Sequence, residues 1–133
     1  MRIGTDIVEI ERIRHLVERH GDRVRGMIFT EHEWAYCTSK SVPWPSFAAR
    51  FAAKEAVSKA FGVGLFGSKL KWTSIEVQND AYGMPHVRLD AIGTSCLHQC
   101  GATTVDLSLS HCKAYAVAMV VVSLGTTAEC SHF

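Results

Sequence analysis

Residues 50–62 read RFAAKEAVSKAFG, and they carry the clearest helical pattern in the chain. Small and apolar side chains recur on one face of this segment and just before it, at Ala48, Phe51, Ala52 and Ala56. This spacing is typical of a helix that packs on a core. Ser46 is a suitable N-cap, and Gly62 is a suitable residue to end the helix. The sequence therefore predicts a central helix over residues 47–61.

Glu55 and Lys59 are four residues apart in this helix and therefore share one of its faces. On spacing alone, the commonest interpretation is a surface ion pair that contributes about 0.2–0.5 kcal/mol. A second carboxylate, Asp6, lies in an apolar segment near the N-terminus. It either bonds to backbone amides at the end of a strand or sits in a site, because an unpaired buried carboxylate costs several kcal/mol.

Taken together, these residues predict a chemical site. Asp6 and Glu55 could hold a hard divalent cation, and Mg²⁺ typically takes one or two carboxylates and completes its shell with waters and substrate phosphates. Lys59 and a glycine-rich loop with Lys69 and Lys71 could bind phosphate oxygens. The residues alone thus indicate a metal-dependent site that binds or transfers phosphate, without naming its substrate.

Periodicity and turn residues predict the remaining elements. We expect strands at residues 2–8, 72–78, 86–89, 103–110 and 114–123, and helices at residues 10–20, 30–37 and 91–99. This order, β-α3-β2-α-β2 with the central helix included, is typical of a single α+β domain. The domain is predicted to span residues 1–124, and residues 125–133 are predicted to form a flexible C-terminal tail.

Composition narrows the class of protein. The chain has 133 residues, 47% of them hydrophobic and 20% charged, which is typical of one globular domain. The formal net charge of +1 gives no support for nucleic-acid binding. No apolar run reaches the length of roughly 20 residues needed to span a membrane, and the N-terminus lacks the pattern of a secretory signal. We therefore expect a cytoplasmic protein without a nucleic-acid or membrane partner.

Five cysteines raise the question of metal or disulfide chemistry. Their odd number and irregular spacing do not form a disulfide framework. Cys96, His98, Cys100, His111 and Cys112 could suggest zinc, but no Cys-x2-Cys pair is present, and packing inside a helix is the favoured interpretation of Cys96 and Cys100.

Two further features have both a structural and a functional interpretation. Arginines are concentrated in the first predicted helix and just after it, at Arg12, Arg14, Arg19, Arg23 and Arg25. They form either a solvated helix face or a docking surface for an acidic partner. His111 follows an alternating strand and is either a turn residue or a residue that reaches into a cleft.

At these positions the sequence resembles the holo-acyl-carrier-protein synthase family of phosphopantetheinyl transferases. The resemblance lies in the N-terminal motif IGTDIVEIERI (residues 3–13), in RFAAKEAVSKAFG (residues 50–62), in the turn Gly83-Met84-Pro85 and in LSLSH (residues 107–111). The motifs occur in order from residue 3 to about residue 122, so the resemblance covers almost the whole chain. The segment 37–47 and the tail after residue 123 have no clear counterpart in the family.

The resemblance implies a fold, an assembly and a reaction. The family has the element order predicted above and typically forms homotrimers with active sites at subunit interfaces, and 133 residues is a length typical of its small trimeric type. Its members transfer 4′-phosphopantetheine from coenzyme A to a serine of apo acyl carrier protein for fatty acid biosynthesis, release 3′,5′-ADP and depend on Mg²⁺.

The resemblance also implies roles for individual residues. Asp6 and Glu55 would bind magnesium, and Lys59 would neutralise charge on the phosphates and the leaving group. Contacts to coenzyme A would come from Arg50, Lys59, Pro85 and His111. Arg12 and Arg14 would contact the acidic carrier protein. The proton of the serine would pass to Glu55, or to a water that Asp6 or Glu55 orients beside the metal.

Two alternatives to a transferase remain at this point. The first is a catalytically silent nucleotide-binding trimer with the same fold, which the intact set of Asp6, Glu55 and Lys59 disfavours. The second is a zinc-dependent binding module built on residues 96–112, which would require stoichiometric zinc in the purified protein.

Overall fold

The computed structural model describes residues 1–65 and 69–125. The predicted tail from residue 126 onward therefore lies outside the described residues. The strands are β1 (Arg2–Glu9), β2 (Ile75–Asn79), β3 (Pro85–Leu89), β4 (Ala102–His111) and β5 (Tyr115–Leu124). The helices are α1 (Ile10–Met27), α2 (Glu31–Thr38), α3 (Trp44–Phe61) and α4 (Ala91–Gln99), and a short 3-10 turn spans Trp72–Ser74. The predicted α+β element order is confirmed.

The main sheet has three antiparallel strands in the order β1-β5-β4. Asp6 lies opposite Ala118, which in turn lies opposite Leu109. Directly opposite residues of an antiparallel pair point to the same face of the sheet. Gly4, Asp6 and Val8 therefore share the face that α3 covers, whereas Ile3 and Ile7 of β1 point to the other face and are exposed.

Helix α3 lies very close to β1. A Cβ atom built on Gly4 would fall 1.9 Å from the carbonyl oxygen of Ala56 and 2.9 Å from the backbone nitrogen of Ala60. Only glycine permits this approach. The small side chains of Ala52, Ala56 and Ala60 are buried in the contact. The alanine-rich sequence of α3 thus allows the helix to pack closely on the strand that carries Asp6.

The hairpin of β2 and β3 packs against the other side of α3 and is connected to it by a buried ion pair. Lys54 of α3 and Glu33 of α2 are both 0% exposed, with 2.8 Å between Nζ and Oε1. Lys54 also donates to the carbonyl oxygens of Trp72 at 2.9 Å and of Ile75. The backbone N–H of Val77 donates to Glu33 Oε2 at 2.8 Å. One ion pair therefore connects α2, α3 and the first strand of the hairpin.

The ion pair also explains a difference from the predicted strand at residues 72–78. Residues 72–74 form the 3-10 turn, and the strand begins only at Ile75. The carbonyl groups of Trp72 and Ile75 accept hydrogen bonds from the buried Lys54 ammonium. The chain therefore bends around the lysine before it can enter the hairpin.

The end of the first helix lies close to its predicted position, whereas the predicted start of the central helix was wrong. Helix α1 breaks at His20, with φ −126° and ψ 30°, next to the predicted end at Gly21. A second short helical segment with the buried Val24 follows, and Arg25 and Gly26 again have non-helical dihedral angles. Helix α3 begins at Trp44 with Pro43 as its N-cap, three residues before the predicted N-cap at Ser46. Proline is tolerated in a first helical turn because the N–H that it lacks has no partner there. By contrast, the capping box of Thr30 and Glu33 is present as the sequence predicts.

Candidate active site

β1 and α3 bring two of the predicted site residues into direct contact. Lys59 Nζ lies 3.1 Å from Asp6 Oδ1 and also donates to the backbone carbonyl oxygen of Thr5 at 3.0 Å. The Asp6 side chain is 17% exposed and that of Lys59 is 54% exposed. Asp6 is therefore a largely buried carboxylate beside an accessible ammonium group, at the edge where β1 meets α3.

Glu55 lies one helical turn before Lys59 and completes this cluster. Partial burial raises the pKa of the Glu55 carboxyl above its ordinary value, and the nearby negative charge of Asp6 raises it further. Lys59 and Arg12 lower the same pKa by smaller amounts. The two carboxylates are thus close enough to repel each other. A divalent cation between them would relieve this repulsion, and the donor set of two carboxylates fits a magnesium ion that shares its shell with phosphate oxygens.

Arg50 lies in a second cluster, on the side of α3 that faces the hairpin. Its side chain is 3% exposed, and its guanidinium carbon lies 4.2 Å from the ring centroid of Tyr36. Nη2 donates to Asn79 Oδ1 at 2.5 Å, and Nη1 makes a long contact of 3.5 Å with the carbonyl oxygen of Ser46. The buried Nε of Arg50 has no hydrogen-bond partner among the described residues.

The turn between β2 and β3 belongs to the same region. Pro85 lies opposite Asn79 in the hairpin register, and Gly83 has a φ of 83°, which favours glycine. Asp80 Oδ1 accepts hydrogen bonds from the backbone N–H groups of Tyr82 and Met84, at 2.8 and 2.9 Å. The predicted Gly83-Met84-Pro85 turn is therefore a closed hairpin turn next to Arg50.

His111 is separate from both carboxylates within the chain. It ends β4 and is exposed. β5 lies between β4 and β1, so two strand spacings of about 4.8 Å each separate His111 from the strand that carries Asp6. The structure therefore brings together Asp6, Glu55 and Lys59, but it does not bring His111 to them.

Arg12 and Arg14 project from the first part of α1. The Arg12 guanidinium lies 5.9 Å from the ring centroid of Phe51, and that of Arg14 lies 5.6 Å from the ring centroid of Trp44. Arg14 also pairs with Glu18 at 3.4 Å. Because the positive charge of Arg12 lowers the pKa of Glu55, Arg12 lies near the carboxylate cluster, whereas Arg14 lies at the Trp44 end of α3.

Comparison with known proteins decides the family. Residues 2–120 match the sequence profile of the 4′-phosphopantetheinyl transferase superfamily. The chain belongs to this superfamily. The resemblance drawn from the motifs is thereby confirmed.

Individual relatives agree with this assignment. A holo-[acyl-carrier-protein] synthase of Ruminiclostridium cellulolyticum is 46% identical over 126 residues, which is 94% of this chain and 93% of the relative. One of Chlamydia pneumoniae is 48% identical over 121 residues, covering 91% and 95% of the two chains. The crystal structure of the Helicobacter pylori synthase in complex with coenzyme A superposes with a TM-score of 0.79 at 32% identity, covering 91% and 99%.

Two residues of the second cluster were missed by sequence reasoning. Tyr36 stacks on Arg50, and Asn79 binds it, yet both read as ordinary helix and turn residues. The position of Asn79 just before the Gly83-Met84-Pro85 turn was a weak signal for its role. No signal in the sequence pointed to Tyr36.

Two further features that were examined are metal-holding clusters of side chains and helices that could span a membrane. Within residues 1–65 and 69–125, no group of three or more His, Cys, Asp or Glu side chains is arranged to hold a metal ion. In the same part of the chain, no helix is both long and apolar enough to cross a bilayer.

Proposed function

We propose that this chain transfers 4′-phosphopantetheine from coenzyme A to a serine of apo acyl carrier protein, in the cytoplasm and in the service of fatty acid biosynthesis. The observation that carries the proposal is the cluster of Asp6, Glu55 and Lys59, in a chain that matches acyl-carrier-protein synthases over more than nine-tenths of its length.

We propose further that Asp6 and Glu55 hold the catalytic Mg²⁺. The two carboxylates come from different elements and repel each other, so they are suited to bind a divalent cation from two sides. When bound, the ion would stabilise the charge on the pyrophosphate oxygens and orient the group for in-line attack. Lys59 holds Asp6 in place and is exposed enough to approach a phosphate.

The proposed reaction is an in-line transfer of the phosphopantetheine phosphoryl group. The serine Oγ of the carrier protein forms a bond to the β-phosphorus of coenzyme A, and the bond from that phosphorus to the bridging oxygen of the pyrophosphate breaks. 3′,5′-ADP leaves with its new terminal charge next to Lys59. The serine proton passes to Glu55 or to a water that Asp6 or Glu55 orients. Atoms and charge balance without a further reactant.

We assign the remaining coenzyme A contacts to Arg50, Pro85 and His111. Arg50 and Pro85 lie in one cluster at the hairpin, and Arg50 retains an unpaired buried N–H donor. His111 lies at the far edge of the sheet. The family typically has its active sites at subunit interfaces, so we expect a neighbouring subunit to complete this site.

A homotrimer would supply that neighbour. The uncovered face of the sheet carries exposed apolar side chains, namely Ile3 (58%), Ile7 (62%), Met119 (47%) and Tyr115 (44%). Contiguous apolar patches of this kind mark interfaces between proteins. We therefore propose that this face forms the subunit contact. Sedimentation equilibrium at several protein concentrations tests it: a mass of three chains is expected, and a monomer at all concentrations would contradict it.

The exposed arginine face of α1 is proposed to dock the carrier protein. Arg12 lies near the carboxylate cluster and Arg14 lies at the Trp44 end of α3, so a carrier bound along this face would present its serine to the phosphate. Carrier proteins of this type are acidic, and charge complementarity increases the association rate. Alanine at both positions is expected to raise the KM for the carrier and to leave the KM for coenzyme A unchanged.

The experiment that tests the function is intact-mass spectrometry of an apo acyl carrier protein incubated with the chain, coenzyme A and Mg²⁺. One phosphopantetheine should be added per carrier, and a chelator should abolish the addition.

Asp6→Asn and Glu55→Gln should each abolish turnover and remain folded, because both changes are isosteric. Glu31→Gln serves as the matched control, since Glu31 is an exposed carboxylate of α2 outside the cluster. Coenzyme A binding without turnover on any carrier would instead favour a silent nucleotide-binding protein.

A further inference from the structure

Asn79 connects Arg50 of α3 to the turn between β2 and β3. Its Oδ1 accepts the hydrogen bond from Arg50 Nη2 at 2.5 Å. Its Nδ2 donates to the backbone carbonyl oxygen of Gly83 at 3.0 Å. One carboxamide thus joins a side chain of α3 to the turn that precedes Pro85.

The orientation of the Arg50 guanidinium depends on this hydrogen bond, because its other polar contacts are weak or missing. The side chain is 3% exposed and stacked on Tyr36, so it cannot rotate freely. Its other amino group has only the long contact of 3.5 Å with Ser46, and Nε has no acceptor in the described part of the chain. Arginine has five N–H donors, so after binding Asn79 the guanidinium retains donors for an anion.

We propose that Asn79 is a positioning residue of the coenzyme A site, which fixes the Arg50 guanidinium relative to the Gly83-Met84-Pro85 turn. This rests on the proposed function, in which Arg50 contacts a coenzyme A phosphate and Pro85 lies near the nucleotide. Asn79 is neutral, so it orients the arginine without cancelling its positive charge. A carboxylate at the same position would form an ion pair with Arg50 and compete with the phosphate.

Steady-state kinetics with coenzyme A as the varied substrate test this proposal, at saturating carrier protein and Mg²⁺. Asn79→Ala should raise the KM for coenzyme A about tenfold, the amount expected for one charge-assisted hydrogen bond. The kcat and the KM for the carrier should change by less than about threefold on the same reasoning, since the carboxylate cluster is untouched. Gln78→Ala is the matched control, because Gln78 is the adjacent carboxamide and its side chain bonds, among the described residues, to Glu76 within β2. It should leave all three parameters unchanged.

Two further variants separate positioning from a merely structural role. Asn79→Asp keeps an acceptor for Arg50 but adds a negative charge, so it should raise the KM for coenzyme A at least as much as Asn79→Ala. Asn79→Asp also loses the Nδ2 donor to the Gly83 carbonyl oxygen, so a residue that only holds the hairpin together would show the defect in thermal melts and leave the KM for coenzyme A unchanged in the folded protein. The effect of Asn79→Ala should also disappear in an Arg50→Lys background, because Asn79 acts through the guanidinium.

The outcomes distinguish this inference from the proposed function. If the wild-type chain transfers phosphopantetheine but Asn79→Ala and Asn79→Asp keep the wild-type KM for coenzyme A, the inference is overturned and the function stands. Independent, multiplicative effects of Asn79→Ala and Arg50→Lys would also overturn it. Absence of transfer by the wild type would instead refute the proposed function. Circular dichroism and thermal melts confirm folding, and if Asn79→Ala unfolds below the assay temperature, Asn79→Asp decides.

Discussion

Replacing Lys54 by methionine is the sharpest test of how this fold is held together. The substitution keeps the length of the side chain and removes the ammonium, which donates to Glu33 Oε1 at 2.8 Å, to Trp72 O at 2.9 Å and to Ile75 O. The Glu33 carboxylate would remain buried at 0% exposure with two backbone donors, the N–H groups of Thr30 and Val77. The carbonyl groups of Trp72 and Ile75 would lose the Lys54 donor at the same time, although Trp72 O would keep the hydrogen bond from the Ile75 N–H.

The expected loss in the free energy of unfolding follows from this buried ion pair. Breaking a fully buried ion pair by removing one partner costs about 3–5 kcal/mol, because the other charge is left uncompensated. At roughly 4 °C per kcal/mol for a domain of this size, this corresponds to a fall in Tm of about 12–20 °C. Removing both charges, in Glu33→Gln with Lys54→Met, leaves no buried charge and should restore at least about 2 kcal/mol of that loss.

The assay is reversible urea unfolding followed by circular dichroism, for the wild type, Glu33→Gln, Lys54→Met and the double variant. All four are measured at one protein concentration, because an oligomer makes apparent stability depend on concentration. The reasoning would be refuted if Lys54→Met lay within about 1 kcal/mol of the wild type, or if the double variant were less stable than both single variants.

Three further predictions concern sites outside that ion pair. Gly4→Ala should destabilise the fold by about 3 kcal/mol or more through its clash with α3, whereas Gly21→Ala, whose Cβ would meet only Trp34 at 3.8 Å, should be neutral or stabilising in the same unfolding assay. Iodoacetamide mapping at pH 8 should label the exposed Cys112 and spare Cys37 until unfolding, because burial raises the pKa of the Cys37 thiol to about 12; equal labelling rates would contradict this. The hydrogen bonds from His86 and from the Met84 N–H favour the ionised carboxylate of Asp80 and lower its pKa in the folded protein. The carboxylate therefore stabilises the hairpin, and this stabilisation is lost as pH falls through the lowered pKa. An NMR titration should therefore give an Asp80 midpoint below 3.8 that rises in His86→Ala; an unchanged midpoint would contradict the assigned cause.

Local signals determined most of the elements and part of the site. The capping box at Thr30 and Glu33 is built from residues three apart, so the helix start could be read directly from the sequence. The spacing of Glu55 and Lys59 fixed their common helix face for the same reason. Their approach to Asp6, which lies about 50 residues earlier, could be proposed because buried carboxylates need a partner, but it depended on how α3 packs.

In β1, the face that α3 covers was not decided by hydrophobicity. In β1 the large apolar residues Ile3 and Ile7 lie on the exposed face, and Gly4 and Asp6 lie on the face under α3. The absence of a side chain at Gly4 is what lets the helix backbone approach. Steric fit between two distant segments therefore decided which face of β1 lies under α3.

By itself, the sequence determined the order of the elements, the helix that carries Glu55 and Lys59, and the motifs that identify the family. Only the tertiary structure decided that Lys54 and Arg50 are buried, that Glu33 and Asn79 are their partners, and that His111 lies away from the carboxylates. The physical reason is the range of the interactions. Helix caps and periodic faces depend on residues a few positions apart, whereas the burial of a charge depends on acceptors that distant segments supply when the chain packs.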